Sequence, residues 1–212
     1  MDIWDIENKF YWHSDIQRVQ KSIAQYEIYK KIINIPGALF ELGVYKGCSL
    51  IRFATYRNML ENNFSRKFYG FDTFGKFPLD EVKSSEDEVF VEQFIKGGGD
   101  SIPIEELKNI LDKKKIENYE LLKGNIFDSL PNFLKNNKEI KIALLHLDMD
   151  TYEPTSFALS LLSERMVKGG VIVVDDYNSV FGATKALDEY CDEHDLKIKK
   201  FSYYNVPAYV DV

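Results

Sequence analysis

Two stretches of sequence decide the fold of this chain, LLHLDMD at residues 144–150 and GVIVVDDY at residues 170–177. Each is a short run rich in Val, Ile and Leu that ends in acidic residues. Such runs are typical of parallel strands buried on both faces, and ligands of open α/β sheets bind at the carboxyl ends of the strands. A hard divalent cation such as Mg²⁺, which takes oxygen ligands, would offset the repulsion between the acids. We therefore expect four side chains to converge on one crevice: Asp148, Asp150, Asp175 and Asp176.

The composition is that of a globular protein with one sizeable core. The chain has 212 residues, of which 45% are hydrophobic and 29% charged, and a formal net charge of −7. An acidic chain lacks the basic surface that sequence-independent binding to nucleic acid needs. Its two cysteines, Cys48 and Cys191, suit neither a disulfide framework nor a paired metal site. With no signal-peptide pattern and no apolar run near ~20 residues, we expect a cytoplasmic protein that binds neither nucleic acid nor membrane.

Hydrophobic periodicity predicts strands that alternate with helices. Strands are predicted at 38–42, 67–71, 119–122, 142–147 and 171–174, with a closing pair at 197–204 and 208–212. Helices are predicted at 14–33, 47–62, 104–111, 154–166 and 183–190. This alternation implies right-handed crossovers and a mostly parallel sheet with helices on both faces.

We predict a single domain over residues 1–212, with two segments that stand apart from the alternating core. Residues 1–36 would form an N-terminal helical cap, which begins with an aromatic-rich stretch. Residues 79–103 are acidic and contain Gly97-Gly98-Gly99, which favours an insertion or lid. Either segment could supply contacts between two copies of the chain, so both are compatible with a homo-oligomer.

The first predicted strand runs into a glycine turn, Glu41-Leu42-Gly43-Val44-Tyr45-Lys46-Gly47. Glycine lets the backbone turn sharply and approach a ligand closely. Tyr45 stands where the dinucleotide-binding pattern G-x-G-x-x-G needs its second glycine, and no P-loop lysine follows Gly47. The turn is therefore either a cofactor loop of another kind or a tight connection between strand and helix.

An acid follows the second predicted strand, within Gly70-Phe71-Asp72-Thr73-Phe74. A carboxylate at this position can accept hydrogen bonds from ribose hydroxyls, and an aromatic ring beside it can lie against adenine. We predict that Asp72 binds ribose and that Phe74 contacts adenine. The alternatives are a turn-capping Asp72 and a Phe74 packed in the core.

Several motifs together resemble the macrocin O-methyltransferase family. They are Glu-x-Gly-Val-x-x-Gly from Glu41, Phe-Asp-Thr-Phe from Phe71, Lys123-Gly124 ahead of Ser129-Leu130-Pro131, Leu-Asp-x-Asp-x-Tyr-Glu-x-Thr from Leu147, and Gly-Gly-Val-Ile-x-x-Asp-Asp-Tyr from Gly169. Gly182-Ala183-Thr184-Lys185-Ala186 is similar to a further family motif, Gly-x-x-Lys-Ala. The resemblance runs from about Gly37 to Tyr190. Asn125 and Ile126 depart from it, since the family often has bulkier residues there.

The resemblance implies a Rossmann-like class I methyltransferase fold, α/β, with a mostly parallel seven-stranded sheet and an antiparallel C-terminal strand. It implies an enzyme that uses S-adenosyl-L-methionine and Mg²⁺ to methylate a sugar hydroxyl of a natural product or surface polysaccharide precursor. The expected partner is a small-molecule acceptor that contains a sugar.

The resemblance also assigns roles by position. Asp148, Asp175 and Asp176 would hold Mg²⁺, and Asp150 would act beside Asp148 in catalysis as general base. The cofactor would be bound by Glu41, Gly43, Val44, Tyr45, Gly47, Ser49, Asp72, Thr73, Phe74, Gly124, Asn125 and Asp148.

Other interpretations stay open on the sequence alone. The acids would also suit a catechol-type O-methyltransferase or a Mg²⁺-dependent phosphoryl-transfer or hydrolytic enzyme, although the chain lacks a Walker-type loop. A nicotinamide oxidoreductase is disfavoured, because Tyr45 replaces the second glycine of the dinucleotide-binding motif. A non-catalytic binding module with the same fold also stays open. Asp175 and Asp176 could instead cap a helix. His146 is either a partner of the metal ligands or a core histidine.

Overall fold

Seven strands form one sheet in the computed structural model, which describes residues 2–212. They are β1 (Ala38–Leu42), β2 (Phe68–Asp72), β3 (Tyr119–Lys123), β4 (Ile142–Leu147), β5 (Met166–Val174), β6 (Lys199–Phe201) and β7 (Tyr204–Asp211). Their order across the sheet is β3-β2-β1-β4-β5-β7-β6. β7 runs antiparallel to both of its neighbours, and the other pairs are parallel. The predicted sheet, mostly parallel with an antiparallel C-terminal part, is confirmed.

Eight α-helices accompany the sheet within residues 2–212. They are α1 (Ile3–His13), α2 (Ile16–Lys31), α3 (Cys48–Leu60), α4 (Ser85–Gly98), α5 (Ile104–Lys113), α6 (Ile126–Asn136), α7 (Tyr152–Leu162) and α8 (Phe181–His194). In the same part of the chain, no helix has the length and apolarity needed to cross a membrane.

The central strands end together at one edge of the sheet. Every residue of β1 and β4 is buried, which explains why each strand is apolar except for one residue, Glu41 in β1 and His146 in β4. Leu147 of β4 pairs with Leu42 of β1 on one side and with Val174 of β5 on the other. The residues that follow these strands, including Asp148 and Asp175, therefore emerge side by side.

Alternate residues of the strands supply two cores, one on each face of the sheet. One core holds Phe40, Leu145 and Ile172 from the strands and is covered by α6, α7 and α8 through Leu130, Leu159 and Leu187. The other holds Leu39, Leu144 and Val171 and is covered by α2, α3 and α5 through Ile28, Phe53 and Leu107. The sheet is thus an inner layer, and ligands can approach only at its edges.

Two helices, α4 and α6, are not predicted from the sequence. α4 lies inside the acidic segment 79–103, where the Ser84 hydroxyl accepts a hydrogen bond from the Asp87 backbone N–H (3.1 Å) and caps the helix. α6 contains Pro131, a residue that usually interrupts helices. Its N-terminus is capped by Asn125, whose side chain accepts from the Phe127 N–H at 3.1 Å.

A buried carboxylate fastens α4 to the rest of the domain. Asp87 is fully buried and accepts hydrogen bonds from the backbone N–H of Tyr152 (3.0 Å) and Gly182 (2.9 Å). These amides lie in the first turns of α7 and α8, where unpaired N–H groups and the helix dipole favour an anion. A Cβ at Gly182 would lie 2.0 Å from an Asp87 oxygen, so only glycine fits there.

The N-terminal helices differ in how they pack. α2 buries Ala24, Ile28 and Tyr29 against the domain. α1 has no buried residue and exposes both tryptophans of the chain, Trp4 and Trp12.

Candidate active site

The glycine turn after β1 packs closely against the residue that follows β4. Gly43 has φ +89°, and a Cβ there would lie 1.8 Å from the Asp148 carbonyl oxygen. Both the backbone conformation and the contact therefore require glycine. Gly47, with φ +76°, ends the turn at the start of α3.

Asp72 ties this turn to the end of β2. One of its carboxylate oxygens accepts hydrogen bonds from the backbone N–H of Val44 and Tyr45, each at 2.9 Å. The other accepts from the Phe74 N–H at 2.6 Å and lies 3.4 Å from the Thr73 hydroxyl. Asp72 thus caps the turns around it. Since a carboxylate offers about four acceptor positions, the second oxygen retains capacity for a ligand hydroxyl.

A pocket opens above the ends of β1, β2, β3 and β4, and aromatic rings form much of its wall. Tyr45 packs against Phe94 of α4 with ring centroids 5.1 Å apart, and Phe94 in turn contacts Phe77. Phe127 of α6 lines the opposite part. No sequence pattern marks these phenylalanines as pocket residues. Phe94 and Phe127 lie on the two helices that are not predicted from the sequence, and Phe77 lies on an irregular loop.

The predicted cofactor residues divide into two groups by position. Seven of them line the pocket: Gly43, Tyr45, Asp72, Thr73, Gly124, Asn125 and Asp148. The other five lie outside its lining: Glu41, Val44, Gly47, Ser49 and Phe74. Of these, Phe74 is 4% exposed and packs in the core, as its alternative interpretation states.

Glu41 is buried directly behind the turn. It accepts a hydrogen bond from the Ser49 hydroxyl at 2.6 Å, and its second oxygen has no hydrogen-bond partner in the described chain. Burial raises the pKa of Glu41 to about 7, although His146 and Ser49 act in the opposite direction. A carboxyl group that is mostly protonated below pH 7 therefore supports the turn from inside.

The four predicted acids meet at the ends of β4 and β5, on the rim of the pocket. Carboxylate oxygens of Asp148, Asp150 and Asp176 all lie within 4.8 Å of one another. Asp148 also belongs to a second group, in which its oxygen, one of Asp175 and a ring nitrogen of His146 meet the same limit. Asp150 has the left-handed backbone conformation, φ +64°, which is rare for a residue other than glycine. We call these four side chains the acid cluster.

A lysine from the N-terminal part of the chain reaches the acid cluster. Lys21 of α2 forms an ion pair and hydrogen bond with Asp175. On the other side of Asp175, His146 Nε2 lies 3.5 Å from Oδ1 without making a hydrogen bond. His146 is fully buried, and its pKa, which burial alone would lower, is raised by Asp175 and Glu41. No sequence pattern links Lys21 to Asp175, 154 positions away.

The pKa of Asp175 is shifted in the opposite direction from the pKa values of the other three acids. Burial and the charges of neighbouring acids raise the pKa of Asp148, Asp150 and Asp176 well above the ordinary value. Burial would raise the pKa of Asp175 too, but His146 and Lys21 outweigh it and lower the pKa to about 2. Lys21 also acts on the other three acids, but there it does not outweigh burial and the repulsion between carboxylates.

The donor set of the cluster fits a divalent cation. Asp148, Asp150 and Asp176 offer oxygen ligands only, which hard cations such as Mg²⁺ prefer. One Asp176 oxygen is buried without a hydrogen-bond partner in residues 2–212. A cation would satisfy that oxygen and offset the repulsion that raises these pKa values.

Solved structures with the same architecture are methyltransferases. The calicheamicin methyltransferase CalS11 superposes with a TM-score of 0.83 at 23% identity, covering 100% of this chain and 86% of that protein. The O-methyltransferase NovP gives a TM-score of 0.77 at 23% identity, covering 91% of this chain and 79% of that protein. The fold is therefore the class I methyltransferase fold, as expected.

The family follows from the sequence itself. The macrocin O-methyltransferase family model matches residues 15–204, so the chain belongs to that family, and the resemblance is confirmed. A curated relative is the 8-demethyl-8-(2,3-dimethoxy-alpha-L-rhamnosyl)-tetracenomycin-C 4'-O-methyltransferase of Streptomyces olivaceus. It is 29% identical over 147 residues, which are 68% of this chain and 54% of the relative. The aligned part of the chain thus spans about half the length of that relative.

Proposed function

We propose that this chain is an S-adenosyl-L-methionine-dependent O-methyltransferase that methylates a sugar hydroxyl with the help of Mg²⁺. The observation that carries the proposal is the position of the acid cluster: Asp148 and Asp150 belong both to it and to the lining of the aromatic pocket. A methyl donor in the pocket would therefore lie beside the carboxylates. Family membership supports the reaction, and the rhamnosyl group in the name of the S. olivaceus relative supports a sugar acceptor.

The pocket would hold the methyl donor, with ribose at Asp72 and adenine between aromatic rings. The Asp72 oxygen nearest the Thr73 hydroxyl is the one with room for a ribose hydroxyl. Phe77, Phe94 and Phe127 offer apolar faces to the adenine. Residues 79–103 would act as a lid, since Glu81, Phe94 and Gly99 all line the pocket. The glycine turn after β1 would be supported by the four other predicted residues outside the pocket lining: Glu41, Val44, Gly47 and Ser49.

The reaction needs an aligned oxygen nucleophile and a base. The bond from oxygen to methyl forms as the bond from sulfur to methyl breaks, the sulfur keeps the electron pair as a thioether, and the hydroxyl proton passes to Asp150. The raised pKa of Asp150 suits it to accept that proton. Bound Mg²⁺ would lower the pKa of the acceptor hydroxyl.

Asp148, Asp150 and Asp176 all have raised pKa values and form the oxygen-only group. Of these three, Asp148 and Asp176 would hold the cation, as the family resemblance implies. Asp175 would join them on release from Lys21. The assignment of Asp148, Asp175 and Asp176 as ligands, with Asp150 as base, thus remains our proposal.

The first test is a calorimetric titration with S-adenosylhomocysteine, the product, in Mg²⁺ and again in EDTA. Micromolar binding in either condition supports the pocket assignment, and its absence in both refutes the methyltransferase proposal. The second test follows conversion of S-adenosylmethionine in the presence of a panel of sugar acceptors and catechol. Turnover of a sugar that EDTA abolishes supports the full proposal, whereas turnover of catechol alone, or turnover indifferent to EDTA, contradicts it.

A further inference from the structure

The N-terminal helix α1 does not pack on the domain that it precedes. Every residue from Ile3 to His13 is exposed, although the helix carries many apolar side chains. The exposed fraction is 67% for Trp4 and 71% for Trp12. The next helix, α2, begins only three residues after α1 ends and does bury apolar side chains. The lack of packing is therefore confined to α1.

A helix of this length needs a surface to pack against. α1 has 11 residues, and isolated helices shorter than about 12–15 residues are marginal in water, because most helical stability in proteins comes from packing of an apolar face. Its N-cap residue, Asp2, makes no side-chain cap hydrogen bond that would compensate. Since its own domain buries none of its residues, a surface outside that domain would supply the packing.

Most of the apolar side chains of α1 share one side of the helix. Their spacings of three, four and seven residues place them there: Ile3, Trp4, Ile6, Phe10 and Tyr11. Glu7 lies among them, whereas Asp5, Asn8 and Lys9 lie on the opposite side of the helix. The helix is thus amphipathic, with its apolar side uncovered.

The apolar side of α1 has the area that one partner contributes to a stable protein interface. At about 200 Å² for each ring, the exposed fractions of Trp4, Phe10 and Tyr11 leave about 350 Å² of aromatic surface. A standard interface buries about 800 Å² on each partner, of which about 450 Å² is apolar. The three rings supply most of that apolar share, and Ile3 and Ile6 add to it.

The charges of the helix disfavour a membrane surface as the partner. Asp2, Asp5 and Glu7 outnumber Lys9, and the whole chain carries a formal net charge of −7. Helices that lie on anionic membranes carry Lys and Arg on their polar side instead. A protein surface is therefore the better match for α1.

We propose that the apolar side of α1 packs against the same side of α1 in a second copy of this chain, and that this contact forms a two-fold symmetric dimer. A two-fold contact is self-complementary, so one apolar side serves both copies and the assembly closes. Other exposed hydrophobic side chains lie on separate elements, such as Met59 on α3, Val89 on α4 and Phe181 on α8. The inference is independent of the proposed function, because it uses no residue of the aromatic pocket or of the acid cluster.

The test measures the mass of the full chain in solution by sedimentation velocity at micromolar concentrations. We expect the wild type to sediment as a dimer, with twice the 24.7 kDa of one chain. A monomer at these concentrations overturns the proposal. If that monomer sediments with vesicles of phosphatidylcholine and phosphatidylglycerol, the partner of α1 is a membrane surface instead.

Variants locate the contact on the apolar side of α1. Ile6→Glu and Phe10→Glu should each raise the dissociation constant of the dimer at least about tenfold, since each places a charge among apolar contacts. Asn8→Glu, the same side chain on the opposite side of the helix, is the matched control and should change the constant less than about threefold. Because α1 buries no residue in its own domain, all three variants should keep the wild-type melting temperature at concentrations where the wild type is also monomeric. A wild-type dissociation constant in both Ile6→Glu and Phe10→Glu overturns the proposal.

Discussion

The aromatic pocket and a second, polar cleft are built from different kinds of structure. The cleft is lined by Gln17, Gln20, Asn178, Ser179, Tyr203 and Asn205. The pocket is formed around strand ends and a glycine turn, with Asp72 and Gly43 locked by backbone contacts. The cleft is formed by side chains of α2, of the turn after β5, of the turn before β7 and of the first residues of β7. The comparison teaches that Gly43 and Asp72 cannot be changed without disturbing backbone contacts of the fold, whereas the side chains that line the cleft make no such contacts to the ends of β1 and β2 within residues 2–212.

The largest effect is expected at the acid cluster, on the rim of the aromatic pocket. Asp148→Asn removes a charge from the one residue that belongs to both groups of the acid cluster. We expect turnover to fall about a thousandfold, because cation binding and hydroxyl alignment both depend on this carboxylate. Steady-state kinetics measures the loss, and Asp192→Asn, an exposed acid on α8, is the control. A fall of less than tenfold would remove Asp148 from the catalytic centre.

A glycine substitution tests whether the pocket is inseparable from the fold. Gly43→Ala would bring a Cβ to within 1.8 Å of the Asp148 carbonyl oxygen, at φ +89°. We expect a loss of about 4 kcal/mol in the free energy of unfolding, from the combined clash and backbone strain. Gly97→Ala is the control, because nothing lies within 4 Å of a Cβ there and the residue is in a helix. Chemical denaturation that gave equal stability for the two variants would contradict the comparison.

The buried carboxyl behind the turn should make stability depend on pH. The folded-state pKa of Glu41 is raised to about 7, so the folded protein binds more protons than the unfolded chain between pH 4.5 and 7. The stability that this group contributes is present at low pH and is lost as the pH rises through 7. Relative to Glu41→Gln, the wild type should lose about 3 kcal/mol between pH 4 and pH 8. Urea denaturation across that range measures the difference, and a constant difference would refute the raised pKa.

The smallest effect is expected for Lys21, through which the N-terminal helix α2 contacts the acid cluster. Lys21→Met removes the ammonium group paired with Asp175 and should tighten Mg²⁺ binding about tenfold, since a competing charge is lost. Without metal the variant should melt at a lower temperature than the wild type, because Asp175 is left buried and unpaired. Calorimetry with MgCl₂ alone measures the affinity. Weaker binding in the variant would mean that Lys21 organises the site rather than competing with the cation.

The sequence predicts the sheet and the acid cluster better than it predicts the cavities. Residues 38–42 and 142–147 are predicted as strands with the bounds observed, because short, mostly apolar runs mark strands that are buried on both faces. The meeting of the four acids follows from the rule that parallel strands end at one edge. Phe94 and Lys21 could not be placed, because their neighbours are distant in the chain and no local pattern records the packing of α2 and α4.

The contact between Asp87 and Gly182 has a consequence for how this protein can evolve and be engineered. The carboxylate occupies the space that a side chain at position 182 would fill, at 2.0 Å from the Cβ position. The same Cβ position also lies 2.3 Å from the Tyr152 backbone nitrogen, so glycine stays required at position 182 even where Asp87 is replaced. An exchange of α4 between relatives should therefore keep glycine at position 182.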